Sequence, residues 1–187
     1  MTELIQHILN RRSCPKLQAP APNHDELTEV LRCAMSAPDH ARLKPWRFVV
    51  LTGRALERFG DEILAIKREE LSELSSQQAD KYRSMPLRAP MIVVAIAEVK
   101  EHPKVPPIEQ VMAVSCAVQN MQLALTSLGY GCMWRTGDLA FNSRVAAFFG
   151  LDAKDQLVGF LYVGTPGGYG KPPDVQQVSD TTEFWCE

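Results

Sequence analysis

The sequence predicts a single domain, residues 1–187, built from both helices and strands. Three observations lead there. Trp46–Leu51, Met91–Ala97 and Leu157–Val163 are short continuous apolar runs set off by Gly53, Pro90 and Gly164, the pattern of buried strands. The segments between them place apolar residues at helical spacing over longer stretches. A length of 187 residues suits one domain, because two would each be small.

The elements follow in order. Leu4, Ile5, Ile8 and Leu9 share a helical stripe, so a short amphipathic helix opens the chain and ends near Arg11-Arg12-Ser13, before Pro15. Gln18–Pro22 alternates Ala and Pro and reads as an extended linker. Asn23 is an N-cap with Glu26 as its capping-box partner, and the helix it starts shows Leu27, Val30, Leu31, Ala34 and Met35 on one face until Pro38 stops it. After the first strand, Gly53 introduces a charged helix from about Arg54 to Gln78, with a well-solvated outer face. Pro86 and Pro90 bracket a break before the strand Met91–Ala97, and His102–Pro107 is a Pro-rich loop. Ile108–Leu128 is the longest helix, and its apolar residues go round the whole circumference. A helix apolar all round is buried all round, either in the domain centre or against a second subunit. Gly129-Tyr130-Gly131 is a tight helix exit, Cys132–Trp134 a brief strand, and Asn142 caps a short helix through Phe149 that Gly150 closes. Beyond Val163 the chain is rich in Gly and Pro. It ends near Phe184-Trp185, aromatic residues expected to dock on this subunit or on a partner.

Composition excludes several classes. With 45% apolar and 22% charged residues the chain is an ordinary globular protein, and a net charge of −2 argues against a broad nucleic-acid footprint. No stretch has the length and apolarity of a membrane span, and Met1–His7 lacks the pattern of a signal peptide, so a cytoplasmic protein is expected. The five cysteines and four histidines are scattered without metal-ligand spacing, which predicts free thiols and no metal. Gly164–Lys171 resembles a phosphate-binding loop, but its spacing is one residue too long and Pro172-Pro173 follow Lys171, so neither a Walker motif nor a dinucleotide fingerprint is present.

Three polar clusters remain. Arg11-Arg12-Ser13 offers a forked donor set suited to a phosphate or a carbonyl, although cations at a helix C-terminus also have a plain electrostatic role. Ala37-Pro38-Asp39-His40, followed by Arg42, Lys44 and Pro45-Trp46, joins donors to an apolar wall. His40 by itself could be a metal ligand, a base or a loop donor. Trp134-Arg135-Thr136-Gly137 joins an aromatic face to a cation, and by itself is equally a strand end with a snorkelling arginine. No motif places a Ser or Cys nucleophile, and no catalytic side chain is nominated. Convergence of the three clusters would suit a flat, amphipathic, anionic ligand such as flavin mononucleotide (FMN).

These residues resemble the nitroreductase family of flavoproteins. The resemblance rests on Asn10-Arg11-Arg12-Ser13, Ala37-Pro38-Asp39-His40, Pro45-Trp46, Lys104-Val105-Pro106, Gly131 with Trp134-Arg135, and Val158–Tyr162 with Gly164-Thr165-Pro166, in that order. It implies an α+β fold with a mixed central sheet sandwiched by helices, and an intertwined homodimer with FMN in two interfacial sites. Carried over by position, Arg11, Arg12, Ser13, Ser36, His40, Trp134, Arg135 and Thr136 would bind FMN. The helix exit Ala124, Leu125, Thr126, Ser127, Leu128 and Gly129 would receive NADH or NADPH. Two positions depart from the family pattern: Lys44 stands where Gln is frequent, and Ser36 where compact members suggest Arg. The implied activity is ping-pong transfer of a hydride from NAD(P)H through the flavin to a small acceptor such as a nitroaromatic or a quinone. The alternative is an FMN-binding sensor or storage module with little turnover.

Overall fold

A computed structural model of the chain describes residues 2–169 and 176–186. Lys171 and its neighbours in the Gly-rich segment lie outside them. The helices are α1 (Glu3–Asn10), α2 (His24–Met35), α3 (Arg54–Glu70), α4 (Ser76–Arg83), α5 (Pro107–Ser127) and α6 (Ser143–Phe148). The strands are β1 (Leu17–Gln18), β2 (Trp46–Thr52), β3 (Met91–Ala97), β4 (Gly131–Arg135) and β5 (Gln156–Pro166).

The strands form one sheet in the order β1-β5-β3-β2, with β4 also pairing along β5. Every described pairing is antiparallel, where the resemblance implied a mixed sheet. The reason is topological: a parallel neighbour needs a strand returning in the same direction as β5 or β2, and no described segment supplies one.

Strand β3 is buried on both faces, which explains its unbroken apolar run. Met91, Val93, Ala95 and Ala97 face a core shared with α2 and α5, where Val30, Val114, Val118 and Met121 pack. Ile92, Val94 and Ile96 face a second core built on Phe59, Ile63 and Ile66 of α3 and Val145 of α6. The sheet is therefore sandwiched between helical layers, an α+β arrangement. Strand β5 carries a bulge: Ala95 pairs with Gly159 but Ile96 pairs with Leu157. The extra residue reverses the side-chain alternation, so Leu157 shares the α3-side core with Phe160 and Tyr162, while Leu161 and Val163 face α5.

Local chemistry sets the helix ends. Asn23 accepts from the Asp25 and Glu26 amides while Glu26 accepts from the Asn23 amide, the expected capping box. The expected single helix from Arg54 to Gln78 is two helices. Leu71 leaves α3 in an extended conformation, and Ser75 starts α4 with a capping box of its own on Gln78. A Ser four residues past a run of charges stopped the helix where hydrophobic periodicity alone continued it. At the α3–α4 junction Gly60 is required, because a Cβ there would lie 2.1 Å from the Arg83 carbonyl oxygen.

Helix α5 is not buried all round. Ala113, Val114, Ala117, Val118, Met121 and Leu125 are buried, yet Ile108 and Met112 are 56% and 57% exposed. Helix α1 has no buried residue at all, with Leu4 at 65% and Leu9 at 62% exposure. Phe184 and Trp185 are likewise exposed and dock nowhere on this chain.

Candidate functional site

The site is built around the two ends of α5. At its C-terminal end, α1 is tied across it: His7 Nε2 donates to the Leu123 carbonyl (2.9 Å) and lies 3.2 Å from the Thr126 hydroxyl. Arg11 follows α1 and reaches Gln122 Oε1 at 3.5 Å. The chain then turns along β4, where the Cys14 amide donates to the Cys132 carbonyl at 2.8 Å. Gly131 permits this approach, since a Cβ there would meet Leu17 at 2.9 Å and Cys14 at 3.0 Å. A cavity of about 310 Å³ results, lined by His7, Asn10, Arg11, Arg12, Thr126 and Tyr169. Its walls hold two guanidiniums, an amide and a hydroxyl and no carboxylate, a donor set that fits a phosphate or another anionic oxygen edge. Arg12 has no ion pair among the described residues. Ser13 is exposed beside this cavity in sequence. The nearby Cys132 thiol is pushed up to about 12 by burial, against the opposing pull of Arg11, so it stays protonated.

At the N-terminal end of α5, His40 Nδ1 pairs with Glu109 Oε2 at 2.6 Å. Ser36 caps α2, its hydroxyl donating to the Cys33 carbonyl at 2.7 Å. The loop between them and β2 is held in an unusual shape: Ala41, Arg42 and Lys44 all have positive φ (60°, 54° and 49°). Non-glycine residues in that region are strained and persist only where contacts over-determine them. Here Lys100 Nζ donates to the Leu43 carbonyl (2.5 Å), and Asp39 accepts the Lys44 amide (2.6 Å). The strained loop presents His40, Arg42 and Lys44 to solvent.

The third cluster lies at the end of β4. Trp134 donates through Nε1 to the Val158 carbonyl (3.3 Å) and packs against the α5-side core. The next residue points the other way. Arg135 stacks its guanidinium 5.5 Å from the Tyr162 ring centroid, on the α3 side. Thr136 is exposed between them.

One chain thus unites Arg11 and Arg12 with Thr126 of the helix exit, and leaves Ala124, Leu125, Ser127, Leu128 and Gly129 on the same turn, with Leu125 buried. It does not unite them with Ser36 and His40. Glu109, which holds His40, and Gln122, which meets Arg11, are thirteen residues apart on α5, roughly 20 Å at 1.5 Å per residue. Sequence reasoning missed His7, Asn10, Tyr169 and Glu109. For His7 and Asn10 a signal existed, since they lie within one turn of Arg11 on the same helix. For Glu109 and Tyr169 there was none.

Comparison with known proteins agrees with this architecture. The sequence model of the nitroreductase family matches residues 8–165. The YdjA protein of Escherichia coli strain K12 is 40% identical over 165 residues, covering 88% of each chain. Among solved structures, the nitroreductase-like family protein from Bacillus cereus superposes with a TM-score of 0.84 at 24% identity, covering 100% of this chain and 98% of that one. A nitroreductase with bound FMN from Bacteroides fragilis gives 0.74 at 21% identity, covering 99% and 100%. At these identities the two structures speak to the fold.

Proposed function

Because this chain belongs to the nitroreductase family, we propose that its divided donor set is completed by a second copy, in a homodimer with two shared FMN sites. The protein is an NAD(P)H-dependent flavin oxidoreductase with FMN as its cofactor. The observation that carries the dimeric reading is the separation along α5: one chain cannot bring Arg11 and His40 to a single ring. A second copy packed against the outer face of α5 can. That face and α1 present Leu4, Leu9, Ile108 and Met112 to solvent, more exposed apolar surface than a lone helix pair needs. The exposed Phe184 and Trp185 are available to the same interface.

In this arrangement Arg11, Arg12 and Ser13 bind the anionic and polar edge of the cofactor, and Ser36 and His40 approach from the other copy. Trp134, the Arg135 backbone and Thr136 form a wall. The turn Ala124–Gly129, with Thr126 lining the cavity, receives NADH or NADPH. The bound FMN supplies the redox chemistry, taking a hydride equivalent from the nicotinamide in one half-reaction and reducing a small acceptor such as a nitroaromatic or a quinone in the next. Arginine near the cofactor favours its reduced, more negative form. The free thiols suit a reducing, cytoplasmic setting.

The test is the visible spectrum of purified protein. Bound pigment that bleaches on anaerobic addition of NADH or NADPH and recovers with an acceptor supports the reading. Arg11→Ala is expected to weaken FMN binding by about tenfold or more, the loss of a charge-assisted contact. Undiminished FMN affinity in that variant, or a monomer by sedimentation that still holds pigment, overturns the shared-site arrangement.

A further inference from the structure

A second cavity, of about 460 Å³, lies on the α3 side of the sheet, across the strands from α5. Arg88, Arg135, Tyr82, Tyr162, Lys67 and Asp138 line it. Its chemistry is unlike that of a solvated groove. The Arg135 Nε is buried without a hydrogen-bond partner. Neither Arg135 nor Arg88 has an ion pair among the described residues, whereas Arg47, Arg83 and Arg144 each hold a carboxylate. The Tyr162 phenol lies between the two free guanidiniums. Burial raises its pKa, and Arg135 and then Arg88 pull it back. A half-buried, unpaired arginine is costly to keep unless an anion completes it.

The remaining lining narrows the anion. Lys67 is already neutralised by Glu70 at 2.6 Å. With Asp138 on the wall, the surplus is a single positive charge, which suits a monoanion better than a phosphate dianion. Two guanidinium forks match the planar geometry of a carboxylate. Met85, Met133 and Leu139 supply an apolar side against the Tyr82 and Tyr162 rings.

We propose that this cavity is a binding site for a small aromatic monocarboxylate, its carboxylate held between Arg135 and Arg88 and its ring lying along Tyr162 and Met133. It is separate from the cofactor site: Trp134 and Arg135 are successive residues of β4, and they point to opposite faces of the sheet. The site therefore shares the β4 wall with the proposed flavin site without sharing its cavity, and it stands independently of that reading.

The experiment is a titration of 4-fluorobenzoate into the purified protein, read by fluorine NMR line broadening. The expected result is saturable binding at one site per chain, weakened about tenfold or more in Arg88→Gln. Arg88 is exposed, so that variant should melt with the wild type and retain the same pigment. Inorganic phosphate at equal concentration should displace little of the probe. Four results overturn the proposal: no saturable broadening, equal affinity in Arg88→Gln, displacement by phosphate at equal concentration, or release of FMN into the filtrate when the probe is added.

Discussion

Replacing Gly159 by Ala tests the link between the β5 bulge and the Trp134 wall. Gly159 sits at φ 144°, a backbone region that side chains rarely enter. A Cβ built there lies 2.4 Å from Trp134 Nε1 and 2.8 Å from the Arg135 carbonyl oxygen. One of these contacts is with backbone, so a simple rotation of the indole does not relieve both. Three effects add in the same direction. The unfavourable φ costs about 1–3 kcal/mol. Forcing a methyl into a filled space costs about 1–3 kcal/mol. Losing the Trp134 bond to Val158 costs about 0.5–1.5 kcal/mol. These overlap, because one shift of β4 relieves several, so a net loss of about 2–5 kcal/mol is expected. For a chain of this size that lowers the melting temperature by roughly 5–15 °C. Melting should be followed by tryptophan fluorescence at fixed protein and FMN concentration, because ligand and subunit binding also move the midpoint. FMN affinity should fall in parallel, since the displaced segment is the wall. A variant that melts within about a degree of wild type, with unchanged tryptophan emission, would refute the reasoning about the bulge.

Other perturbations probe separate elements. Asn23→Ala removes the acceptor of two α2 amides and should cost about 1 kcal/mol, seen as a lower urea midpoint without a change in slope. Lys100→Ala removes the clamp on the Leu43 carbonyl, so the strained loop should relax and trypsin should cut faster after Arg42 and Lys44; an unchanged cleavage rate would count against the clamp. The Cys132 thiol has its folded pKa raised from 9.0 to about 12, so the unfolded chain loses that proton first as pH rises. Its contribution is fully present below pH 9 and is lost progressively towards 12, a decline that Cys132→Ala should flatten in pH-dependent melts. In the native protein at mildly alkaline pH, a thiol reagent should modify the exposed Cys33 and Cys116 well before Cys132.

The local elements were readable because their causes are local. The capping box at Asn23, the apolar run of β3 and the exit at Gly129 depend on neighbours within a few residues, and all three occur where the sequence places them. The break at Leu71–Ser75 was missed because Leu71 and Leu74 continue a helical period, and the cap that ends it competes with that pattern. β1 was read as linker because two residues carry no periodicity; it exists only because β5 lies beside it. The positive φ angles at Ala41, Arg42 and Lys44 have no sequence signal, since no glycine marks them, and they rest on Lys100, more than fifty residues away.

By itself the sequence determined the element types, the two-sided burial of β3 and three donor clusters of the right chemistry, because side-chain identity and short-range spacing suffice for these. Only the tertiary structure decided how the clusters relate. Helix α5 is a rigid rod of 21 residues that holds Arg11 and His40 at its opposite ends. Strand pleating sends Trp134 and Arg135 to opposite faces of the sheet. Distance along a rod and direction across a sheet arise from long-range packing, and residue order carries neither.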